Sequence, residues 1–202
     1  MAQYDLWKID KKLRKAIDTD RYHHTLGVMF TAASMSMVWD EDLTRTRVAG
    51  LLHDCAKCIP NDKKINMCKK NEIPVTSFEL ANPFLLHAKL GAYLAEKKYD
   101  ISDPEILSAI TWHTTGKPDM TMLEKIIYIA DYIEPARNKA PHLALVRKLA
   151  FTDIDECMYQ ILKDSMEYLS SNPKALDTTT ADAFLFYRKL HEERYPAEET
   201  EE

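Results

Sequence analysis

Glycine is scarce in this chain, with four residues in 202, and no apolar run approaches the length of a membrane-spanning helix. So little glycine argues against a turn-rich β protein and against a nucleotide-binding fold built on a glycine-rich loop. The first residues lack the basic-then-apolar pattern of a secretory signal. We therefore expect a cytoplasmic protein that does not engage a membrane.

An excess of positive charge is also lacking. The formal net charge is -5, which provides no electrostatic footprint for nonspecific binding to nucleic acid. We accordingly expect no nucleic-acid partner. The length fits a single domain, predicted over residues 1–195, and the acidic residues 196–202 are predicted to form a solvated tail.

Cysteine is too sparse for a disulfide framework or a complete structural zinc site. Cys55 and Cys58 form a C-x-x-C pair, but the chain has only four cysteines and no second such pair. No strand pattern gives this pair the setting of a thioredoxin-like redox motif. We therefore interpret the cysteines as ordinary reduced side chains in a reducing compartment.

What the sequence does contain is helical periodicity, with apolar residues recurring at steps of three and four. No series of strands, internal repeat or low-complexity linker interrupts it, and residues 74–83 read as a loop. The predicted fold is therefore an all-α, single-domain irregular helical bundle. Its predicted helices cover residues 6–17, 22–39, 43–55, 60–71, 84–99, 104–112, 121–134, 142–150, 153–170 and 179–194.

Two acidic side chains stand where apolar residues are expected. His53 and Asp54 follow an apolar helical stretch, and burying an imidazole beside a carboxylate is costly unless something binds them. Imidazole nitrogen and carboxylate oxygen together suit borderline metal cations. Asp131 lies among aliphatic and aromatic helix residues, so it should be a metal ligand or the partner of a nearby Arg or Lys.

Three further histidines extend this set. His24 lies near the start of a long helix, His87 in another helix, and His113 at a helix end. A single histidine is more often an ordinary core or surface side chain than a ligand. That ordinary role is assigned to His23, because one helix face presents only one of two neighbouring residues, and also to His142 and His191.

The order His24, His53-Asp54, His87, His113, Asp131 on an all-α chain resembles the HD-domain metal-dependent phosphohydrolases. The flanking segments are similar to one subfamily, the symmetrical bis(5'-nucleosyl)-tetraphosphatases of the YqeK-like group. These segments are residues 21–26, 50–57, 87–92, 113–118, 123–137 and 175–179, and the resemblance extends over residues 4–193. Two departures, His23 in place of a commoner acidic residue and Ala136 in place of glycine, touch no proposed ligand.

This resemblance implies an enzyme that splits diadenosine tetraphosphate into two ADP. It also implies that one metal ion is held by His24, His53, Asp54 and Asp131. Iron is the expected metal, with manganese and zinc as alternatives for mixed nitrogen and oxygen ligands. Such an ion would lower the pKa of a water molecule and neutralise charge on phosphoryl oxygens.

The remaining site residues are expected to contact the substrate. We assign catalytic roles to Asp54 and Lys57, the latter as a point charge on phosphate, and expect forked phosphate contacts from the arginines. For Lys57 and both arginines the alternative is a solvated surface charge. For two of the histidines, His87 and His113, the alternative is a second metal site. The predicted substrate-binding residues are Arg21, Lys57, His87, His113, Thr114, Arg137 and Thr179.

Three rival interpretations remain at this level. The chain could be another HD-type enzyme acting on a deoxynucleotide or a cyclic nucleotide, or a nucleotide-sensing module without catalysis. A helical scaffold with no site is the third, and it leaves Asp131 and the His53-Asp54 pair unexplained. The partner expected is a dinucleoside polyphosphate, while base preference and a homodimer are left open.

Overall fold

The computed structural model describes residues 4–170 and 177–196, and these residues contain helices and no strand. The predicted all-α class is therefore confirmed. The α-helices, numbered in chain order, are α1 Leu6–Leu13, α2 Thr19–Val38, α3 Leu43–Leu52, α4 Asn61–Lys70, α5 Ser77–Ala81, α6 Leu86–Tyr99, α7 Pro104–Trp112, α8 Met122–Ile133, α9 Leu143–Leu149, α10 Ile154–Ser170 and α11 Thr178–Arg194.

The prediction of a loop over residues 74–83 was wrong. This segment contains α5, and a 3₁₀ turn at Pro83–Leu85 leads from it into α6. A capping box explains the short helix, because the Thr76 hydroxyl accepts from the Glu79 N–H while the Glu79 carboxylate accepts from the Thr76 N–H. Reciprocal capping satisfies two N–H groups that would otherwise be unpaired.

Two helices end earlier than the periodicity predicted. The first ends at Leu13 rather than at residue 17, and α3 ends at Leu52 rather than at residue 55. His53 is consequently the C-cap of α3, and Asp54 lies in the turn beyond it. Both side chains therefore project from the C-terminal end of α3 and not from the side of the helix.

The core is formed where α2 packs along α3 and α8, with α7 packed between α6 and α8. Gly50 permits the closest of these approaches. A Cβ atom at this position would lie 2.9 Å from the Cα atom of Met29, closer than two carbon atoms can approach. The crossing of α2 over α3 therefore requires a residue without a side chain, and it brings the N-terminal half of α2 to the end of α3.

The structure also bears on the cysteines, on membrane-spanning helices and on the acidic tail. The cysteines are free, and Cys55 and Cys58 make separate hydrogen bonds, to Gly91 O and to Asp18. No helix within residues 4–170 and 177–196 is long and apolar enough to cross a bilayer. The predicted acidic tail lies outside the described residues apart from Pro196, so the predicted domain limits stay predictions.

Candidate active site

Helix ends and helix faces bring the six predicted histidine and aspartate ligands to one place. The end of α3 and the end of α7 supply three of these residues, and α2, α6 and α8 supply one each. Four of the six are buried, and the other two are partly exposed. The six side chains are those of His24, His53, Asp54, His87, His113 and Asp131.

The Asp54 carboxylate lies at the centre of this group. One oxygen, Oδ1, lies 3.2 Å from His87 Nε2 and 3.4 Å from His113 Nε2. The other, Oδ2, lies 3.5 Å from His53 Nε2 and 3.8 Å from His24 Nε2. Four imidazoles therefore present the same ring atom to a single buried carboxylate.

The hydrogen bonds of the rings fix which nitrogen faces the carboxylate. In His53, His87 and His113, Nδ1 lies 2.6 or 2.7 Å from the carbonyl oxygen of the residue three positions earlier. A carbonyl can only accept, so Nδ1 carries the hydrogen and donates it. The Nε2 atom of each neutral ring is then a bare lone pair that points into the site.

Several of these inward atoms have no partner. Among the described residues, His24 Nε2, His53 Nε2 and Asp54 Oδ1 are buried without a hydrogen bond. The Nε2 atoms of His87 and His113 face each other at 3.1 Å. Converging lone pairs are costly to bury unless a cation binds between them.

The pKa of His87 agrees with a bare lone pair on its Nε2. Burial lowers its pKa to about 4, and the nearby His113 and Lys57 add to the effect. At neutral pH the ring is therefore neutral, and its Nε2 carries a lone pair that can act as a ligand. The pKa of Asp54 is held well below its usual range, because His53 and His113 outweigh the opposing effect of burial.

Asp131 faces the same site from α8. Its Oδ1 lies 3.1 Å from His24 Nε2 and 2.7 Å from the Arg137 guanidinium. Burial alone would raise the pKa of Asp131, but the neighbouring His24 and His53 lower it well below its usual value. The ion pair expected as the alternative for Asp131 is therefore present, with Arg137, and the same carboxylate also faces His24 of the cluster.

The ligand atoms form two groups, each compact enough for one ion. In each group the ligand atoms lie within 4.8 Å of one another, and His53 belongs to both. Neutral imidazole nitrogen together with carboxylate oxygen is a donor set that fits iron, manganese or zinc. The two groups are His24 with His53 and Asp131, and His53 with Asp54 and His113.

Cations surround these carboxylates. Arg21 donates to Asp54 Oδ2 at 2.7 Å, and Lys57 Nζ lies 3.1 Å from His87 Nε2 and 3.8 Å from Asp54 Oδ1. The alternative of a fully solvated surface charge is therefore wrong for Arg21 and Lys57, whose side chains are 28% and 35% exposed. Arg137 is 44% exposed, and it is tied to α8 through Asp131.

Two cavities near the cluster share one lining residue, Thr114. The first, of about 400 Å³, is lined by Lys57, His113, Asp131 and Arg137 together with Thr114. The second, of about 290 Å³, is lined by Thr114, Thr179, Trp112 and Lys89 among others. Thr114 lines both, and its hydroxyl lies 3.1 Å from both His87 Nε2 and His113 Nε2.

The structure therefore brings together every predicted ligand and places Thr179 in the second cavity. Ala175 and Leu176 of its motif lie outside the described residues. His23 is exposed, while His142 and His191 pair with carboxylates elsewhere, in line with the ordinary roles predicted for them. One residue escaped the sequence analysis: Glu134 is buried and bonds His24 Nδ1 at 3.1 Å.

Comparisons with known proteins agree with this geometry. The family model described as "HD domain" matches residues 21–136, a range that contains all six histidine and aspartate residues of the cluster. The symmetrical bis(5'-nucleosyl)-tetraphosphatase of Bacillus subtilis is 38% identical over 179 residues, covering 88% of this chain and 93% of the relative. The protein of that name from Staphylococcus aureus is 32% identical, covering 89% of this chain and 93% of the relative.

A solved structure supports the same grouping. A crystal structure from Clostridium acetobutylicum, described as a "predicted HD superfamily hydrolase involved in NAD metabolism", superposes with a TM-score of 0.88 at 35% identity. It matches 94% of this chain and 100% of that one. The chain therefore belongs to the HD-domain family and, within it, to the family of the symmetrical bis(5'-nucleosyl)-tetraphosphatases.

Proposed function

We propose that the chain hydrolyses diadenosine tetraphosphate symmetrically, with one water molecule consumed and two ADP released. The observation that carries the proposal is the cluster of inward lone pairs beside Thr114, which lines two cavities. A symmetrical substrate has its scissile bridge at its centre and a nucleoside at each end. The names of the relatives point to the same reaction.

We propose that iron is the resident metal and that His24, His53, Asp54 and Asp131 hold it. His87 and His113 either contact phosphate or complete a second site, for which the shared His53 leaves room. When bound, the ion supplies Lewis-acid chemistry, lowering the pKa of a water molecule and neutralising charge on phosphoryl oxygens. The bare Nε2 atoms and the low pKa of His87 support this assignment because they leave ligands ready at neutral pH.

The cationic side chains would bind the polyphosphate. Lys57 extends from the turn after Asp54 into the first cavity, where its ammonium group can meet a phosphate oxygen as a point charge. Arg21 uses one nitrogen to hold the Asp54 carboxylate, and Arg137 uses two on Asp131, Nε on its carbonyl oxygen and Nη2 on its carboxylate. Their remaining N–H groups are suited to forked contacts with phosphate.

The two cavities would hold the two nucleosides. The first is flanked by Tyr132 and Arg137, and the second by Trp112, so each offers a planar or aromatic group to a base. Thr114, which lines both, would lie next to the central phosphates. Cleavage between the second and third phosphates then follows from the substrate's symmetry about the cluster.

Other expectations remain predictions about this chain. We propose that it acts in the cytoplasm, on a small dinucleotide, without a nucleic-acid or membrane partner. Whether it forms a homodimer can be determined by light scattering on the purified protein. These points do not affect the assignment of the reaction.

The assignment is tested by incubating the purified protein with diadenosine tetraphosphate and either Fe²⁺ or Mn²⁺, and resolving the products by chromatography. ADP as the sole product is expected. AMP with ATP would contradict symmetrical cleavage. No turnover, with release of phosphate from a deoxynucleotide or cleavage of a cyclic nucleotide instead, would favour the rival HD-type activities.

The role of the metal is tested with Asp54→Asn, which preserves shape and removes the central charge. We expect metal content measured by elemental analysis to fall to background and turnover to fall by roughly 10²–10⁴-fold, since several kcal/mol of charge stabilisation are lost. Glu124→Gln is the matched control, because Glu124 is equally buried but bonds Ser108 and Lys117, away from the cluster. Activity that survives in Asp54→Asn would rule out the metal mechanism.

A further inference from the structure

Glu134 is a buried carboxylate at the C-terminal end of α8, and the proposed reaction gives it no part. It is 3% exposed and lies among helices rather than at the surface. Its Oε1 accepts from His24 Nδ1 at 3.1 Å, and its Oε2 accepts from the Ala136 N–H at 2.7 Å. Because burying a charge is costly, this carboxylate must be held by the bonds that it makes.

His24 needs such a partner because of its place in the fold. The other three histidines of the cluster lie at helix ends or just after a 3₁₀ turn, where the carbonyl three positions earlier is available to Nδ1. His24 lies inside α2, where neighbouring carbonyls are already committed to the helix. A side chain from another helix must therefore orient its ring.

Gly27 makes room for that side chain. It lies one turn after His24 on the same face of α2, and a Cβ atom there would lie 2.7 Å from Glu134 Oε2. Glycine inside a helix is destabilising relative to alanine. Its presence at this position is explained by the carboxylate that packs against it.

The chain also fixes Glu134 from its other side. The Arg147 guanidinium donates to the carbonyl oxygens of Ile133 at 3.1 Å and of Glu134 at 3.2 Å. The same guanidinium donates to Arg137 O at 2.8 Å. The backbone around Glu134 is thus held in place, and its carboxylate has a fixed position from which to accept from His24.

We propose that Glu134 is a positioning residue that locks His24 in the Nδ1–H tautomer and so aims Nε2 at the metal. The proposal rests on the proposed metal site, although the hydrogen bond from His24 Nδ1 to Glu134 does not depend on a bound ion. A carboxylate behind a ligating imidazole also increases the basicity of the ligand. Glu134 would therefore strengthen metal binding without touching metal or substrate.

The first test measures the affinity of the metal-free protein for Co²⁺, followed by its visible absorption. Glutamine at position 134 can accept only one of the two N–H groups, because its own NH₂ donates. We expect Glu134→Gln to weaken Co²⁺ binding by about 10-fold and Glu134→Leu by up to about 100-fold, the range for partners of metal ligands. Glu124→Gln is the control, since Glu124 is a buried carboxylate at the opposite end of α8.

Gly27→Ala supplies a second variant that leaves Glu134 chemically intact. Its methyl group would push Oε2 aside, and alanine favours the helix, so folding should be retained. We expect about 10-fold weaker Co²⁺ binding for Gly27→Ala alone, within the range for such partners. In a Glu134→Ala background the same substitution should add no further loss, because both act through one carboxylate.

A metal-independent measurement separates this proposal from the metal site itself. Nitrogen-15 NMR of the metal-free protein reports which ring nitrogen of His24 carries the proton. We expect Nδ1 to carry a proton in the wild type and in Glu124→Gln. In Glu134→Leu and Gly27→Ala we expect Nδ1 to lose that proton in part, in favour of Nε2, which faces Asp131 Oδ1 at 3.1 Å. If the wild-type protein binds no Co²⁺ but the two variants still change the protonation of His24, the proposed metal site is wrong and the positioning role of Glu134 stands. An unchanged tautomer in both variants would overturn the role of Glu134.

Discussion

At the scale of single residues, His87 links the site to the stability of the fold. Burial lowers its pKa from 6.5 to about 4. Between these values the unfolded chain binds a proton that the native chain does not, so the free energy of unfolding falls as the pH falls. This decline of the unfolding free energy begins near pH 6.5 and ends near pH 4, and in total it amounts to roughly 3 kcal/mol.

Urea unfolding of the metal-free protein between pH 7 and pH 4.5 measures this effect. We expect His87→Asn to show a shallower decline of the unfolding free energy with falling pH than the wild type shows. His23→Gln, which removes an exposed histidine, is the control for the loss of one imidazole. Equal slopes in the wild type and in His87→Asn would mean that His87 is not held neutral by burial.

The histidine and aspartate residues of the cluster could be predicted one by one, whereas Glu134 could not. His53 and Asp54 adjoin in the sequence, and their polarity conflicts with the apolar run before them. Glu134 precedes a proline at a helix end, which is the usual setting of a solvated side chain. The signal that could have revealed it lies far away in sequence: Gly27, inside a long helix, indicates a close approach by another group.

At the scale of helices, the periodic pattern predicted the long elements well and the ends poorly. Helix α5 was missed because it is too short for periodicity, although the Thr76–Glu79 spacing is that of a capping box. The early end of α3 was missed for a different reason. His53 bonds back to the Gly50 carbonyl, and this contact turns the chain before the apolar pattern stops.

The crossing of α2 and α3 leads to a prediction about Gly50. Gly50→Ala would place Cβ 2.9 Å from the backbone of Met29, which cannot move without shifting α2. We expect a loss of about 1–3 kcal/mol in the free energy of unfolding, as for other overpacked core positions. Metal affinity should also fall, because α2 carries His24 and Gly50 O holds the ring of His53.

Gly91→Ala is the matched control for Gly50→Ala. Gly91 is also a buried helical glycine, but a Cβ atom there would meet its nearest neighbours at 3.4 Å or more. We expect Gly91→Ala to be neutral or to stabilise by up to about 1 kcal/mol through helix propensity. Urea unfolding and Co²⁺ titration of both variants provide the comparison. Equal behaviour of the two would refute the steric argument.

At the scale of the whole molecule, the cluster joins helices that are distant in sequence. Its six side chains come from α2, α6 and α8 and from the ends of α3 and α7. An ion bound by His24, His53, Asp54 and Asp131 would tie three of these parts together, namely α2, the end of α3 and α8. The sequence predicted which residues meet, through its resemblance to a family. It could not predict the two cavities, since these depend on how α5, α11 and the segment after α8 pack around the cluster.

Removal of the metal should therefore lower the thermal stability of the whole bundle. An ion that binds only the native state at 100 times its Kd stabilises that state by about 2.7 kcal/mol. For a chain of this length that corresponds to a Tm shift of roughly 5–10 °C, observed by calorimetry with and without EDTA. Restoring Fe²⁺ or Mn²⁺ should restore Tm, and Asp54→Asn should show no response to either treatment. A response of the same size in Asp54→Asn would mean that the stabilising ion binds elsewhere, and the cluster would then lose its main support as the metal centre.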